Sequence, residues 1–246
     1  MNNIFNATYQ QTGKSISTNE MGMREMQKRI YEKFSSQYLL LKAPPASGKS
    51  RALMFVALEK LRHHLIRKVI VAVPERSIGK SFASTNLKDN GFHTNWVVNR
   101  KYDLCTPGGD SLKTKTFSEF MNDGAENILI CTHSTLRFAY EKIGKDKFND
   151  CLLAIDEFHH VSAETDSKLG ELLRSIMAET NAHILAMTGS YFRGDCVAVL
   201  RPSDERQFEK VTYNYYEQLN GYKYLKSLGI GFHFYNGVYL NALQNP

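Results

Sequence analysis

The 246-residue chain is short of the features that mark secreted, metal-stapled or membrane-spanning proteins. It has four cysteines, Cys105, Cys131, Cys151 and Cys196, and no two of them form a CxxC pair or stand at zinc-ligand spacing. This argues against a disulfide framework and against a thiolate metal centre, and it points to a reducing compartment. The opening residues, MNNIFNATYQQTGKS, are polar and contain no apolar signal core. No apolar run approaches the ~20 residues needed to cross a bilayer. The expectation is a soluble, cytoplasmic protein with no membrane partner. Neither sign of charge prevails strongly: 31 Lys and Arg against 25 Asp and Glu leave a net charge of +6. That excess admits a polyanionic partner without requiring one. There is no internal repeat and no low-complexity segment.

What is present is a rhythm. Apolar runs of strand length recur as YLLLK (38–42), KVIVAVP (68–74), NILICTH (127–133), CLLAIDEF (151–158) and AHILAMTG (182–189). Helical patterns separate them. MREMQKRIYEKF places Met26, Ile30 and Phe34 near helical spacing, and RALMFVALEKLRHHLI, STLRFAYEKI and ETDSKLGELLRSIMAE read the same way. ERSIGKSFASTNL (75–87) reads as the start of another helix, NWVV (95–98) as a strand, and CTPGGD (105–110) as a turn. Strands alternating with helices predict an α/β fold with a mostly parallel sheet flanked by helices. Residues 1–20 read as a flexible arm and 21–200 as the βα domain. Residues 201–246, rich in Tyr and Phe and without that rhythm, read as an extension or a linker to a further domain.

In such sheets, ligands gather beyond the carboxyl ends of the strands. Here those ends read KAPPASGKS, VPER, CTHS, DEFHH and TGSYFR, so the polar chemistry falls on one edge. APPASGKS approximates the phosphate-loop pattern G-x-x-x-x-G-K-[ST], with Ala43 in place of the first glycine. A strand ends, the backbone turns, and a helix begins near Gly48, so backbone N–H groups and a helix N-terminus face a polyphosphate. Gly48 permits close approach, Lys49 reaches the outer phosphates, and Ser50 offers a hydroxyl to Mg²⁺. A surface turn with a solvated lysine is the plainer alternative. At the end of CLLAIDEF, Asp156 and Glu157 are costly to desolvate unless a cation compensates. Asp156 would hold the metal, partly through water, and Glu157 would orient and deprotonate an attacking water. His159 would sense the terminal phosphate. A zinc site using His159 and His160 lacks the H-E-x-x-H order, and a solvated strand end is the other reading.

Together these residues resemble the first RecA-like ATPase domain of superfamily 2 DExH helicases and translocases, over roughly residues 20–195. APPASGKS resembles that family's motif I, DEFH (156–159) its motif II, and TGSYFR (188–193) its motif III in the form found in restriction-enzyme motor subunits. The resemblance implies a P-loop NTPase fold and the cofactors ATP and Mg²⁺. It implies a nucleotide-binding set of Arg24, Gln27, Pro45, Ala46, Ser47, Gly48, Lys49, Ser50 and Arg51, with Gln27 reading adenine. Lys49, Asp156, Glu157 and His159 would be catalytic, and Ser50 and Asp156 would hold the metal. Thr188, Gly189 and Ser190 would couple the nucleotide to the track. Arg76, Ser77, Lys80, Thr132 and His133 would contact nucleic acid, DNA in preference to RNA. For several of these a structural reading stays open: Gln27, Arg76 and Lys80 on solvated helix faces, Thr132 or Ser134 as a helix cap. The family usually has Gly where Ala46 stands and often Thr where Pro45 stands. Motifs IV to VI, with their arginine finger, are not found after Arg201. The resemblance therefore implies a second RecA-like domain, in a longer protein or a partner subunit, and weak activity of this chain alone. A duplex translocase that does not unwind, or an ATP-gated binding module, are the competing functions.

Overall fold

All five apolar runs become strands in the computed structural model, which describes residues 5–8, 17–158, 168–189, 202–221 and 227–230. Two short segments, β1 (Phe5–Thr8) and β8 (Ser227–Ile230), pair antiparallel with each other, Phe5 opposite Ile230, within a small unit of residues 1–16 and 219–246. The larger unit, Ser17–Gln218, is built on one sheet. Its strands are β2 (Tyr38–Lys42), β3 (Lys68–Val73), β4 (Ile128–Thr132), β5 (Cys151–Ile155), β6 (His183–Thr188) and β7 (Glu209–Thr212). They lie in the order β4-β3-β5-β6-β2-β7, and every neighbouring pair is parallel.

The apolar runs are continuous because both faces of the sheet are covered. Successive strand residues point to opposite faces, and along β3 Val69, Val71 and Val73 enter one core while Ile70 and Ala72 enter the other. The first core is completed by α1 (Glu25–Tyr31) and α2 (Lys49–Arg62). The second face is closed by α4 (Asp110–Asn122), α5 (His133–Ile143) and α6 (Lys168–Glu179), through Phe117, Phe120, Leu136, Leu172 and Ile176. Short helices α3 (Arg76–Gly79), α7 (Pro202–Glu205) and α8 (Tyr215–Gly221) complete the described set. Among the described residues no helix is long and apolar enough to cross a membrane. Cys105, Cys131 and Cys151 are free and buried.

Three segments differ from the sequence reading. ERSIGKSFASTNL is helical only to Gly79 and continues as a 3-10 turn, Lys80–Phe82. Gly79 lies against Cys105, where an added Cβ would stand 2.6 Å from that side chain. NWVV is not a strand of the sheet. Trp96 exchanges backbone hydrogen bonds with Thr85 (2.8 and 3.1 Å), and its buried indole N–H donates to the Phe82 carbonyl at 2.8 Å. The segment is a plug of Phe82, Leu87, Phe92 and Trp96 in the first core. The third difference is β7, which pairs with β2 at the sheet edge. Only Val211 of its four residues is buried, so it has no continuous apolar run. The compact unit therefore extends past residue 200, to Gln218.

Candidate nucleotide site

Chain direction places the loop after β2 at the carboxyl edge of the sheet, and a set of hydrogen bonds fixes its shape. The Ala43 N–H donates to the Thr188 carbonyl at the end of β6 (3.1 Å). Ala46 (φ 60°) and Gly48 (φ 97°) both adopt left-handed backbone on either side of Ser47. A Cβ on Gly48 would stand 2.6 Å from Gln27 Nε2, so the position also needs the missing side chain for space. The loop carbonyls are captured in turn. Lys49 Nζ donates to Ala43 O (3.1 Å) and Pro44 O (3.2 Å). Gln218 Nε2 donates to Pro45 O (3.0 Å), Arg24 Nη1 to Ser47 O at a longer 3.5 Å, and Gln27 Nε2 to Gly48 O (3.1 Å). In a trans peptide the following N–H points opposite to the carbonyl. Capture of Pro45, Ser47 and Gly48 carbonyls thus directs the Ala46, Gly48 and Lys49 N–H groups away from the protein partners, as an anion cradle requires.

Two further features fit a polyphosphate. The Ser47 hydroxyl is buried and has no hydrogen-bond partner among the described residues. The Lys49 ammonium is buried, and that burial draws its pKa down while Glu157 and Asp156 oppose the shift. Ser50 and Arg51 follow on the first turn of α2, both half-buried. Gln27 is not on a solvated face. It is buried, its Oε1 accepts from the Arg24 N–H at the start of α1 (2.8 Å), and its Nε2 holds the loop.

At the end of β5, the Asp156 N–H donates to Ala72 O (2.9 Å), and the Asp156 carbonyl accepts from His133 Nε2 (3.1 Å). The Asp156 side chain is buried, and desolvation together with Glu157 pushes its pKa up to about 6, with Lys49 opposing. Glu157 stands in left-handed backbone (φ 46°), a strained conformation for a residue with a Cβ and one that often marks functional sites. The strain is held by its neighbours: Phe158 is buried and its N–H donates to Met187 O (2.7 Å). Glu157 Oε2 accepts from the Gly189 N–H (3.2 Å). A Cβ on Gly189 would meet Lys49 Nζ at 3.1 Å and the two Glu157 carboxylate oxygens at 3.3 and 3.5 Å. Groups following three strands, β2, β5 and β6, thus converge on one point. Asp156 and Ser50 offer hard oxygen donors of the kind Mg²⁺ prefers.

The remaining candidates are spread along the same edge. Arg76 and Ser77 are exposed, and with Thr132, Ser134, Thr135, Pro74, Glu75 and Asp110 they line a groove of about 440 Å³. Thr132 also caps α5, its Oγ1 accepting from the Thr135 N–H at 3.2 Å. Lys80 is exposed on the turn beyond α3 and does not line the groove. His133 does not line it either, since its ring bonds to Asp156. His159 and Ser190 lie outside the described residues. Gln218 was not anticipated. Nothing local to it in sequence signals a contact with a loop 173 positions earlier.

A parallel sheet with a cradle after one strand and paired carboxylates after another defines a RecA-like nucleotide-binding domain. Residues 24–194 match the DEAD/DEAH box helicase family, and the chain belongs to it. It is 64% identical over 244 residues to the Bacillus subtilis (strain 168) protein named "Putative ATP-dependent helicase YeeB". That alignment covers 99% of this chain and 40% of the relative, so the chain spans well under half the relative's length. Two solved structures share the fold. The Pyrococcus furiosus Hef helicase domain aligns with a TM-score of 0.55 at 15% identity, over 84% of this chain and 41% of that one. The UvsW helicase from bacteriophage T4 aligns with a TM-score of 0.50 at 16% identity, over 84% and 63%.

Proposed function

We propose that the chain is the ATP-binding and hydrolysing motor domain of a nucleic-acid helicase or translocase, acting on DNA in preference to RNA. It works in the cytoplasm with a second RecA-like domain, in a longer protein or a partner subunit. The observation that carries this reading is the convergence of Lys49, Glu157 and Gly189 beside the phosphate loop. Bound Mg·ATP would supply the phosphoanhydride to be cleaved and a cation that neutralises developing charge. The Ala46, Gly48 and Lys49 N–H groups and the Ser47 hydroxyl would bind phosphate oxygens. Lys49 would exchange its loop carbonyls for the outer phosphates. Ser50 and Asp156 would hold the metal, Glu157 would take the proton of the attacking water, and His159, two residues further on, would sense the terminal phosphate. Thr188 and Gly189, with Ser190, would pass the state of the site to the track. Gln27 and Arg24 would meet the adenine side from the start of α1, and Arg51 would approach the nucleotide from the first turn of α2.

The groove lined by Arg76, Ser77 and Thr132 supports a phosphate-backbone contact, with Lys80 and His133 flanking it, and such contacts carry little sequence preference. The TGSYFR form favours the restriction-motor branch, which moves duplex without unwinding it. An ATP-gated binding module is the competing class, and the acidic pair with an intact Glu157 disfavours it. The test is Mg·ATP binding and turnover by this chain with and without DNA and RNA. Lys49→Ala should abolish binding. Glu157→Gln should retain binding and lose turnover. Turnover of the parent should be slow, as the family resemblance implies for a first RecA-like domain acting without a second, and equal turnover in the parent and Glu157→Gln would refute the motor reading. Strand displacement against triplex displacement separates unwinding from translocation.

A further inference from the structure

Gln218 lies outside residues 24–194, the stretch that matches the helicase family, yet its side chain is buried and reaches the phosphate loop. It is the final residue of the larger compact unit. Its helix is held firmly at the start. Asn214 Oδ1 accepts from the Glu217 N–H (2.8 Å) while Glu217 Oε2 accepts from the Asn214 N–H (2.9 Å), a reciprocal capping box. Glu217 Oε1 also accepts from Arg29 Nη1 of α1 (2.6 Å), and the Tyr213 hydroxyl donates to Glu217 O (3.0 Å). The Tyr213 N–H donates to Lys42 O, the last residue of β2 (2.8 Å). Gln218 is thus presented from a fixed support to the Pro45 carbonyl.

That carbonyl is the sensitive one. Pro45 has no N–H, and the peptide that follows it carries the Ala46 N–H into a left-handed residue at the exposed crest of the loop. The other captured carbonyls are held from α1 or by Lys49. Among the described residues, the hydrogen bonds place only Gln218 on the crest peptide. Because the peptide is planar, fixing Pro45 O fixes the direction of the Ala46 N–H.

We propose that Gln218 is a positioning residue for nucleotide binding, orienting the Ala46 N–H toward a phosphate oxygen by holding the Pro45 carbonyl. This deepens, and rests on, the ATP-site reading above. Gln218→Ala removes the donor. Gln218→Glu keeps the shape but presents an acceptor, so it serves where the alanine variant loses packing. In the nucleotide-free protein, hydrogen exchange at the Ser47 amide, which donates to Pro44 O (3.4 Å), should quicken in both variants while α1 and α2 stay protected. The dissociation constant for Mg·ATP should rise about fivefold, the worth of one hydrogen bond, and Mg·ADP should weaken alike. Turnover at saturating ATP should change less than the affinity. Gln218→Lys, which restores a long donor, should recover most of the affinity. Faster exchange confined to α8, with the loop and affinity unaltered, would overturn the inference and leave Gln218 a packing residue. A parent that binds no nucleotide would sink the ATP-site reading and this inference's role with it, while the exchange experiment still reads the Gln218–loop contact separately.

Discussion

Replacing Asp156 with asparagine should make the nucleotide-free protein more stable at neutral pH. The side chain is only 6% exposed, and its carboxyl is raised from an ordinary 3.8 to about 6 by burial and by Glu157, with Lys49 working the other way. A group whose pKa is raised on folding contributes stability that is fully present below the unfolded value. That contribution is lost as pH climbs through the folded value. The window is therefore pH 4 to 6, and above it the folded chain carries a desolvated charge that water would otherwise solvate. At roughly 1.4 kcal/mol per tenfold change in proton affinity, the loss is on the order of 3 kcal/mol. Asparagine resembles the protonated acid and does not titrate. Urea unfolding, followed by fluorescence of the single buried Trp96, should give matching stabilities near pH 4 and a growing advantage for the variant up to pH 7. Parent and variant curves that run parallel across this range would refute the reasoning, because shared titrations of other groups cancel in the difference. The same burial suits the metal-holding role proposed for Asp156: stability lost to a desolvated carboxylate should be regained when Mg²⁺ with nucleotide binds.

Two substitutions test the site's packing. Gly189→Ala places a methyl 3.1 Å from Lys49 Nζ and 3.3 Å from Glu157 without demanding left-handed backbone. Stability should change by less than about 1 kcal/mol, while turnover falls on the order of 100-fold through misplacement of reacting groups; turnover within twofold of the parent would contradict the convergence. Ala46→Gly relieves a left-handed alanine at φ 60°, so the unfolding free energy should rise by about 1 kcal/mol, and a lower value in denaturant titration would contradict the strain.

Much of this molecule is written locally. Strands β2 to β6 are legible because a strand buried on both faces must be apolar at nearly every position, which leaves unbroken runs such as KVIVAV. The loop and the acidic pair stand out in the sequence because the residue types that phosphate cradling and metal binding would require come immediately after a strand. The elements that escape the sequence are those whose character comes from a neighbour. Helix α4 follows Pro107-Gly108-Gly109, so its turn signal masks a helix that buries Phe117 and Phe120. Edge strand β7 buries one residue in four and has no run to read. Thr132 is readable as a helix cap from its local sequence, but only packing turns its neighbour His133 toward Asp156. The sequence by itself determined the sheet, its chemical edge and the family, since burial and motif chemistry act over a few residues. Tertiary structure alone decided which groups meet there. Gln218 reaches Pro45, and Gly189 reaches Lys49 and Glu157, because chain folding sets those distances and no local pattern encodes them.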